Sequence, residues 1–185
     1  MLNDIAECAN EELILVGGTA LALFHLKHRI SIDLDFIPVK GDDIKLKENF
    51  KGCLTKKGYR TMVSAYKNQF VIQLENTSIK IEIFSPSYKL KNPEHYEFGN
   101  FKLLVASIDD LLELKKQSYA DRKEARDLYD ILFILKKKEK DFKLIKDLIN
   151  KFGNANNIDE MKKISDESNY KLFEEVLNNA SKTSD

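Results

Sequence analysis

The chain has 185 residues, 43% hydrophobic and 32% charged, which suits one domain with a buried core and an appended helical lobe. Thirty basic residues balance thirty acidic ones, so a protein that coats nucleic acid through a broad basic surface is excluded, though a local basic patch is not. No apolar run approaches the roughly 18–20 residues that cross a bilayer, and residues 1–7 lack the basic-then-apolar order of a signal peptide.

In chain order, residues Asn3 to Asn10 read as a short helix. Leu13 to Val16 is a short, branched apolar run ended by Gly17-Gly18, which favours a buried strand. Thr19 is expected to cap a helix from Ala20 to about Leu26, with His25 and His28 near an end where histidine suits the helix dipole. No third histidine or cysteine lies close enough to make those two a metal site. A second strand carries Asp33 and Asp35. Pro38 and Gly41 mark a loop, Asp42-Asp43 start a helix with Ile44, Phe50 and Leu54 as its apolar stripe, and Lys56-Lys57-Gly58 ends it. Three strand-like runs follow, Tyr59–Tyr66, Gln69–Glu75 and Ser78–Phe84, with connections short enough for an antiparallel meander. In the last of them Glu82 lies on the polar face.

Residues 85 to about 100 read as a loop or weak helix, and Phe101–Ala106 as one more strand. Ser107-Ile108-Asp109-Asp110 resembles a helix start. From there the chain is helical. Leu111, Leu112 and Leu114, then Leu128, Ile131, Leu132 and Leu135, keep helical spacing, and a break near Tyr119-Ala120 is left open. Asp141–Lys151, Asp159–Ile164 and Glu167–Leu177 are further helices, and residues 181–185 are expected to be a disordered tail. The fold class is therefore α+β: a mixed or antiparallel sheet with flanking helices over 1–106, and a helical region over 107–180 packed on that core. Two lysine-rich stretches, residues 45–60 and Lys136-Lys137-Lys138 with Lys140, read as solvated helix faces or local basic patches. Cys8 and Cys53 give neither a disulfide framework nor zinc spacing, which points to a reducing cytoplasm.

The chemistry centres on the glycine turn and the paired acids. Residues two apart on a strand share a face, so Asp33 and Asp35 project together. Two adjacent carboxylates repel, and a divalent cation that takes oxygen ligands, Mg²⁺ above all, relieves them. Gly17-Gly18 lets a backbone approach closely and opens a helix whose free N–H groups favour anions. A phosphate cradle beside a metal site suggests nucleotide chemistry, and nucleotidyl transfer is the reaction such parts would serve. An acceptor oxygen attacks the α-phosphorus, pyrophosphate leaves, and two metal ions stabilise both oxygens. Asp33, Asp35 and Glu82 are the candidate metal ligands, and Glu82 also suits a base. If the later helix is continuous, Lys115, Tyr119, Arg122 and Arg126 share one face and form a cationic row for the triphosphate; otherwise that face is solvated, with Lys123 and Asp127 as an i,i+4 pair.

The order Gly17-Gly18-Thr19-Ala20-Leu21, then Arg29-x-Ser31-x-Asp33-Leu34-Asp35-Phe36, closely resembles the DNA-polymerase-beta-like nucleotidyltransferases, and among them the AbiEii-like or type IV toxin branch. Asp110-Leu111-Leu112-Glu113-Leu114-Lys115, Arg122 and Arg126-Asp127-Leu128-Tyr129-Asp130 are similar to that group's helical motif. The resemblance runs from about Leu13 to Leu135. It implies a Mg²⁺-dependent enzyme, with Mn²⁺ as a substitute, whose metal ligands are Asp33 and Asp35 with Glu82 as third acid. Gly17, Gly18 and Thr19 would contact the NTP, and Lys115 and Asp127 would be further active-site residues, Lys115 meeting phosphate; Ser31, and from the helix spacing Arg122 and Arg126, are the remaining candidate nucleotide-binding residues. It also implies an acceptor, a tRNA end or a protein hydroxyl, and a cognate antitoxin, with no membrane partner. The alternatives are a catalytically silent NTP-binding or partner-binding module of this fold, and a phosphatase of the haloacid-dehalogenase type. The phosphatase wants a more apolar run before Asp33 and leaves Gly17-Gly18 unexplained.

Overall fold

The structure is a computed structural model that describes residues 1–181, and it divides into two compact units. The expected tail from 182 on lies outside the described residues. Unit one comprises residues 1–20 and 32–107; unit two comprises 21–31 and 108 onward.

Unit one begins with α1 (Leu2–Ala9), which buries Ile5, Ala6 and Ala9, and β1 (Leu13–Val16), whose four residues are all buried. Helix α2 (Gly17–Ala20) follows directly. Thr19 thus lies inside the helix instead of capping a later one, and its hydroxyl donates to the Asp33 carbonyl. After β2 (Leu34–Pro38), Asp42 caps α3 (Asp43–Lys56) by accepting from the Lys45 N–H at 2.8 Å. The stripe that α3 buries is Leu46, Phe50 and Leu54, whereas Ile44 is 43% exposed. Ile44 stands in the first turn, and the 3.6-residue period carries Leu46, not Ile44, onto the face of Phe50.

The meander is β3 (Arg60–Val63), β4 (Gln69–Gln73) and β5 (Ser78–Ile83), paired antiparallel as the short connections indicate. Next comes a strand where a loop or weak helix was expected: β6 (Glu94–Phe98) forms a hairpin with β7 (Phe101–Val105) around Gly99-Asn100. Strand β6 is polar because it is an edge with little buried surface, so its composition resembles a loop. The sheet order is β3-β4-β5-β2-β1-β7-β6, with β2–β5 and β1–β7 parallel and the other neighbours antiparallel. Central β1 has neighbours on both sides and no solvent face, which is why it reads as an unbroken apolar run. Phe36, Phe50 and Phe70 stack edge to face at 5.2 and 6.1 Å and tie β2, α3 and β4 into the core.

Cys8 and Cys53 are joined by a disulfide between α1 and α3, a correction to the expectation drawn from their small number. The cysteine argument for a reducing compartment falls with it. Beside the bridge, Lys57 forms an ion pair with Glu7 and Asp4, and the Tyr59 hydroxyl donates to Asp4 at 2.7 Å.

Unit two opens with a π-helical stretch, Leu21–Leu26, and ends its first segment at Ser31. Helices α4 (Ile108–Arg122) and α5 (Ala125–Lys137) are separate. The chain turns at Lys123, which adopts a left-handed φ of 54°, so the break falls four residues beyond Tyr119. Asn156 clamps that turn, donating to the Lys123 carbonyl at 2.7 Å and accepting from the Ala125 N–H at 2.9 Å. Helix α6 (Lys143–Phe152) ends at Gly153, φ 99°, whose carbonyl accepts from the buried Tyr119 hydroxyl at 2.6 Å. A 3-10 turn (Ile158–Glu160) leads into α7 (Met161–Ile164), and α8 (Glu167–Ser181) closes the unit and includes Ser181. Its core is Tyr129, Leu132 and Phe133 of α5 against Ile145, Leu148 and Phe173. Among the described residues, no helix is long and apolar enough to cross a membrane.

Candidate active site

In unit one, β1 delivers the chain directly into the N-terminus of α2 at Gly17. Gly17 has a φ of 74°, and a Cβ there would collide with Asp35 Oδ2 and lie 3.2 Å from Asp35 Cβ. Only glycine meets both demands, the left-handed backbone and the close approach. Val16 and Asp35 are register partners across β1 and β2, so the turn and the acid are brought side by side by sheet pairing. Gly18 and Thr19 are buried behind it.

The acids come from adjacent strands. Asp35 is flanked by buried Leu34 and Phe36, so its side chain takes the opposite face of β2. Glu82, flanked by buried Ile81 and Ile83, is the parallel register partner of Asp35 and takes that face of β5. Asp33 lies one residue before β2 begins, a boundary shift of one residue from the expected strand. Its Oδ1 accepts from the Lys80 N–H at 3.2 Å, and Oδ2 is 3.6 Å from Lys80 Nζ. Glu82 Oε1 accepts from Asn68 Nδ2 at 2.9 Å. Carboxylate oxygens are the hard donors that Mg²⁺ takes, so the donor type of Asp33, Asp35 and Glu82 fits while their spacing does not close a site. Among the described residues, no three His, Cys, Asp or Glu side chains gather closely enough to hold a metal ion. The Asp33–Lys80 pair is 45% and 41% exposed, the weakly held kind that a cation readily displaces.

Unit two holds a second, buried set of charges. Lys115, 5% exposed, donates to Asp127 Oδ1 at 3.0 Å and pairs with Asp130 Oδ2 at 2.7 Å. Arg122 closes on Asp127 with two bonds of 2.8 Å, and Arg29 grips Asp130 with bonds of 2.7 and 2.8 Å. His28 Nε2 lies 2.7 Å from Asp130 Oδ1. Burial pushes the Asp130 carboxyl up, but Lys115, Arg29 and the His28 hydrogen bond outweigh it and hold it well below the ordinary range. Asp127 is lowered in the same way, burial being overcome by Lys115 and Arg122.

The break at Lys123 removes the continuous row expected of Lys115, Tyr119, Arg122 and Arg126. Tyr119 is buried in the core, Lys115 lies between two carboxylates, and Arg126 belongs to the next helix, exposed near Glu124, Asn157 and Glu160. Asp127 pairs with Lys115 and Arg122 instead of Lys123. Ser31 is half-buried at the end of the first segment of unit two. Sequence reasoning missed Asp130, the centre of the network, and with it Arg29 and His28. One signal was present: α5 is apolar nearly all round, so acids within Leu128–Leu135 and beside it have to be buried and paired.

Comparison with solved structures shows the fold. JHP933 from Helicobacter pylori is 18% identical with a TM-score of 0.57, covering 98% of this chain and 89% of the other. A structure described as a nucleotidyltransferase from H. pylori gives 18% and 0.56, covering 98% and 92%. An antigenic nucleotidyltransferase-like protein from Paracoccidioides brasiliensis gives 16% and 0.55, covering 80% and 85%. No curated protein matches the chain. The profile of the nucleotidyl transferase AbiEii toxin family, type IV toxin–antitoxin system, matches residues 5–183. With a strand–glycine turn set against paired acids, a nucleotidyltransferase fold and a family match over almost its whole length, the chain belongs to the AbiEii nucleotidyltransferase toxins.

Proposed function

We propose that unit one binds a Mg²⁺–NTP and that the enzyme moves the nucleotidyl group to an acceptor hydroxyl, at a tRNA end or on a protein. The observation that carries this reading is the register that sets Gly17 against Asp35 and Asp35 beside Glu82. Backbone N–H groups at Gly17, Gly18 and Thr19 take the phosphates, as free helix N-termini do. Mg²⁺, or Mn²⁺ in its place, would be held by Asp33 and Asp35 with Glu82 as third acid, and would supply positive charge to the phosphate oxygens. The acceptor oxygen forms its bond to the α-phosphorus as the bond to the pyrophosphate oxygen breaks, and Glu82 accepts the acceptor proton.

Unit two enters the reading through Lys115 and Asp127, assigned to the reaction on the family likeness and on their burial as a charged pair. Ser31 is assigned to the nucleotide, and Arg122 and Arg126 to its phosphates. A cognate antitoxin is the expected partner, as the family's type IV system implies. The test incubates the protein with Mg²⁺, each labelled NTP, bulk tRNA and cell protein. Label on RNA or protein, lost in Asp33→Asn, supports the reading and names the acceptor class. An NTP-induced rise in Tm with no transferred label makes this a silent binding module, and phosphate release from small phosphoesters without NTP makes it a phosphatase.

A further inference from the structure

Unit two contains a cleft of about 340 Å³ lined by Leu26, Lys27, His28, Phe133, Lys136 and Lys137, with His25 and Asn169 at its rim. Its lining holds three lysines and no carboxylate, in a chain whose charges otherwise balance. Lys136 and Lys137 stand in the last turn of α5, where cations suit the helix dipole, so they alone would carry no argument.

Lys27 is different. It comes from another element, directly follows the π-helical stretch, and holds a left-handed φ of 53° that is strained for a non-glycine residue. Its N–H bonds the Ala22 carbonyl five residues back at 3.2 Å, the π-helical pattern. Helix distortions of this kind and strained backbone concentrate at functional sites. Among the described residues neither Lys27 nor Lys136 has a carboxylate partner; Lys136 sits over the Phe133 ring at 5.4 Å from its centroid. His28 closes the floor, stacked on Tyr129 at 5.7 Å, with Nε2 committed to Asp130 and Nδ1 without a partner among the described residues.

Lysines act as point charges toward phosphate. With Phe133 already covered by Lys136, the cleft offers no open ring for a base to stack on, so it would read phosphates and not sequence. Its volume takes in a short stretch of one sugar–phosphate chain, while a duplex rests across its mouth. We propose that this cleft binds the phosphodiester backbone of a single-stranded polynucleotide. The proposal goes beyond the transferase reading and needs only residues of unit two.

The test measures fluorescence anisotropy of labelled single-stranded RNA, single-stranded DNA and duplex DNA with the full-length protein over a range of salt. Three proteins are compared: the parent, Lys27→Gln/Lys136→Gln, and Lys140→Gln/Lys143→Gln, which removes the same charge elsewhere. Lys137 is left intact because its Nζ donates to the His25 carbonyl at 2.8 Å. At roughly 0.7 per phosphate contact on a single strand, the first pair lowers the slope of log K against log salt by about 1.4. The second pair leaves it near the parent value. Binding of either single strand with that loss supports the proposal, and the tighter strand names the sugar. Absence of single-strand binding, equal loss in both pairs, or tighter binding of duplex overturns it. Asp35→Asn separates the two readings, since it abolishes transfer and leaves backbone binding intact. Transfer to a protein without polynucleotide binding sinks the cleft proposal alone. Binding without transfer by the parent sinks the transferase reading alone.

Discussion

Replacing Lys115 with Met is expected to destabilise unit two severely. The ammonium lies 3.0 Å from Asp127 and 2.7 Å from Asp130, and both carboxylates are fully buried. Removing one member of a buried charge set costs about 3–5 kcal/mol, because the remaining charges stay desolvated. Arg122 still serves Asp127, and Arg29 and His28 still serve Asp130, so about 3 kcal/mol is the better figure. At roughly 2–4 °C per kcal/mol for a chain of this size, Tm falls by about 6–12 °C. The assay is thermal unfolding by circular dichroism at neutral pH, run with Lys115→Met, Asp130→Leu and the double variant. Coupling within the network makes the double variant less destabilised than the sum of the two singles. A Lys115→Met Tm within a degree of the parent, or strict additivity, would refute the claim that this lysine neutralises a buried acid pair.

Three further outcomes follow from the same geometry. Because the Asp127 and Asp130 carboxyls lie below their unfolded value of 3.8, their stabilisation is full above that value and is lost as pH falls through the folded values. Acid titration of Tm should therefore steepen below about pH 4 and flatten there in Asp130→Asn; an unchanged profile would count against the network. Gly17→Ala combines a left-handed backbone with a collision on Asp35, and should lower Tm measurably while reducing transfer more than Gly52→Ala, whose Cβ meets nothing within 4 Å. The Cys8–Cys53 bridge spans 45 residues of sequence and should contribute about 2–4 kcal/mol, so reductant lowers the Tm of the parent but not of Cys8→Ser.

The sequence made local structure legible where one signal dominated. The four-residue run Leu13–Val16 with its glycine pair, the Asp42 cap and the alternation of Ile79, Ile81 and Ile83 each point one way, and the structure agrees. The turn beside Asp35 was legible because strand period and glycine chemistry are both short-range, whereas Asp33 falls one residue outside β2 and the three acids do not gather. What failed to show was long-range or unsignalled. Edge strand β6 has too little buried face to alternate, the turn at Lys123 lacks a glycine, and the disulfide joins residues 45 apart. The network on Asp130 draws His28 and Arg29 from about a hundred residues away, beyond any helical or strand spacing.

The proposed reaction requires that the α-phosphorus of an NTP, not the γ-phosphorus, is transferred, and that unit one's acids control the transfer. It is tested most directly by incubating the protein with tRNA, cell protein and Mg²⁺ and either α- or γ-labelled NTP. Acid-stable label on the acceptor from the α position only, γ label released in pyrophosphate, and no transfer by Asp35→Asn are the expected results. Acceptor labelled from the γ position, or α label transferred equally by Asp35→Asn, would contradict it.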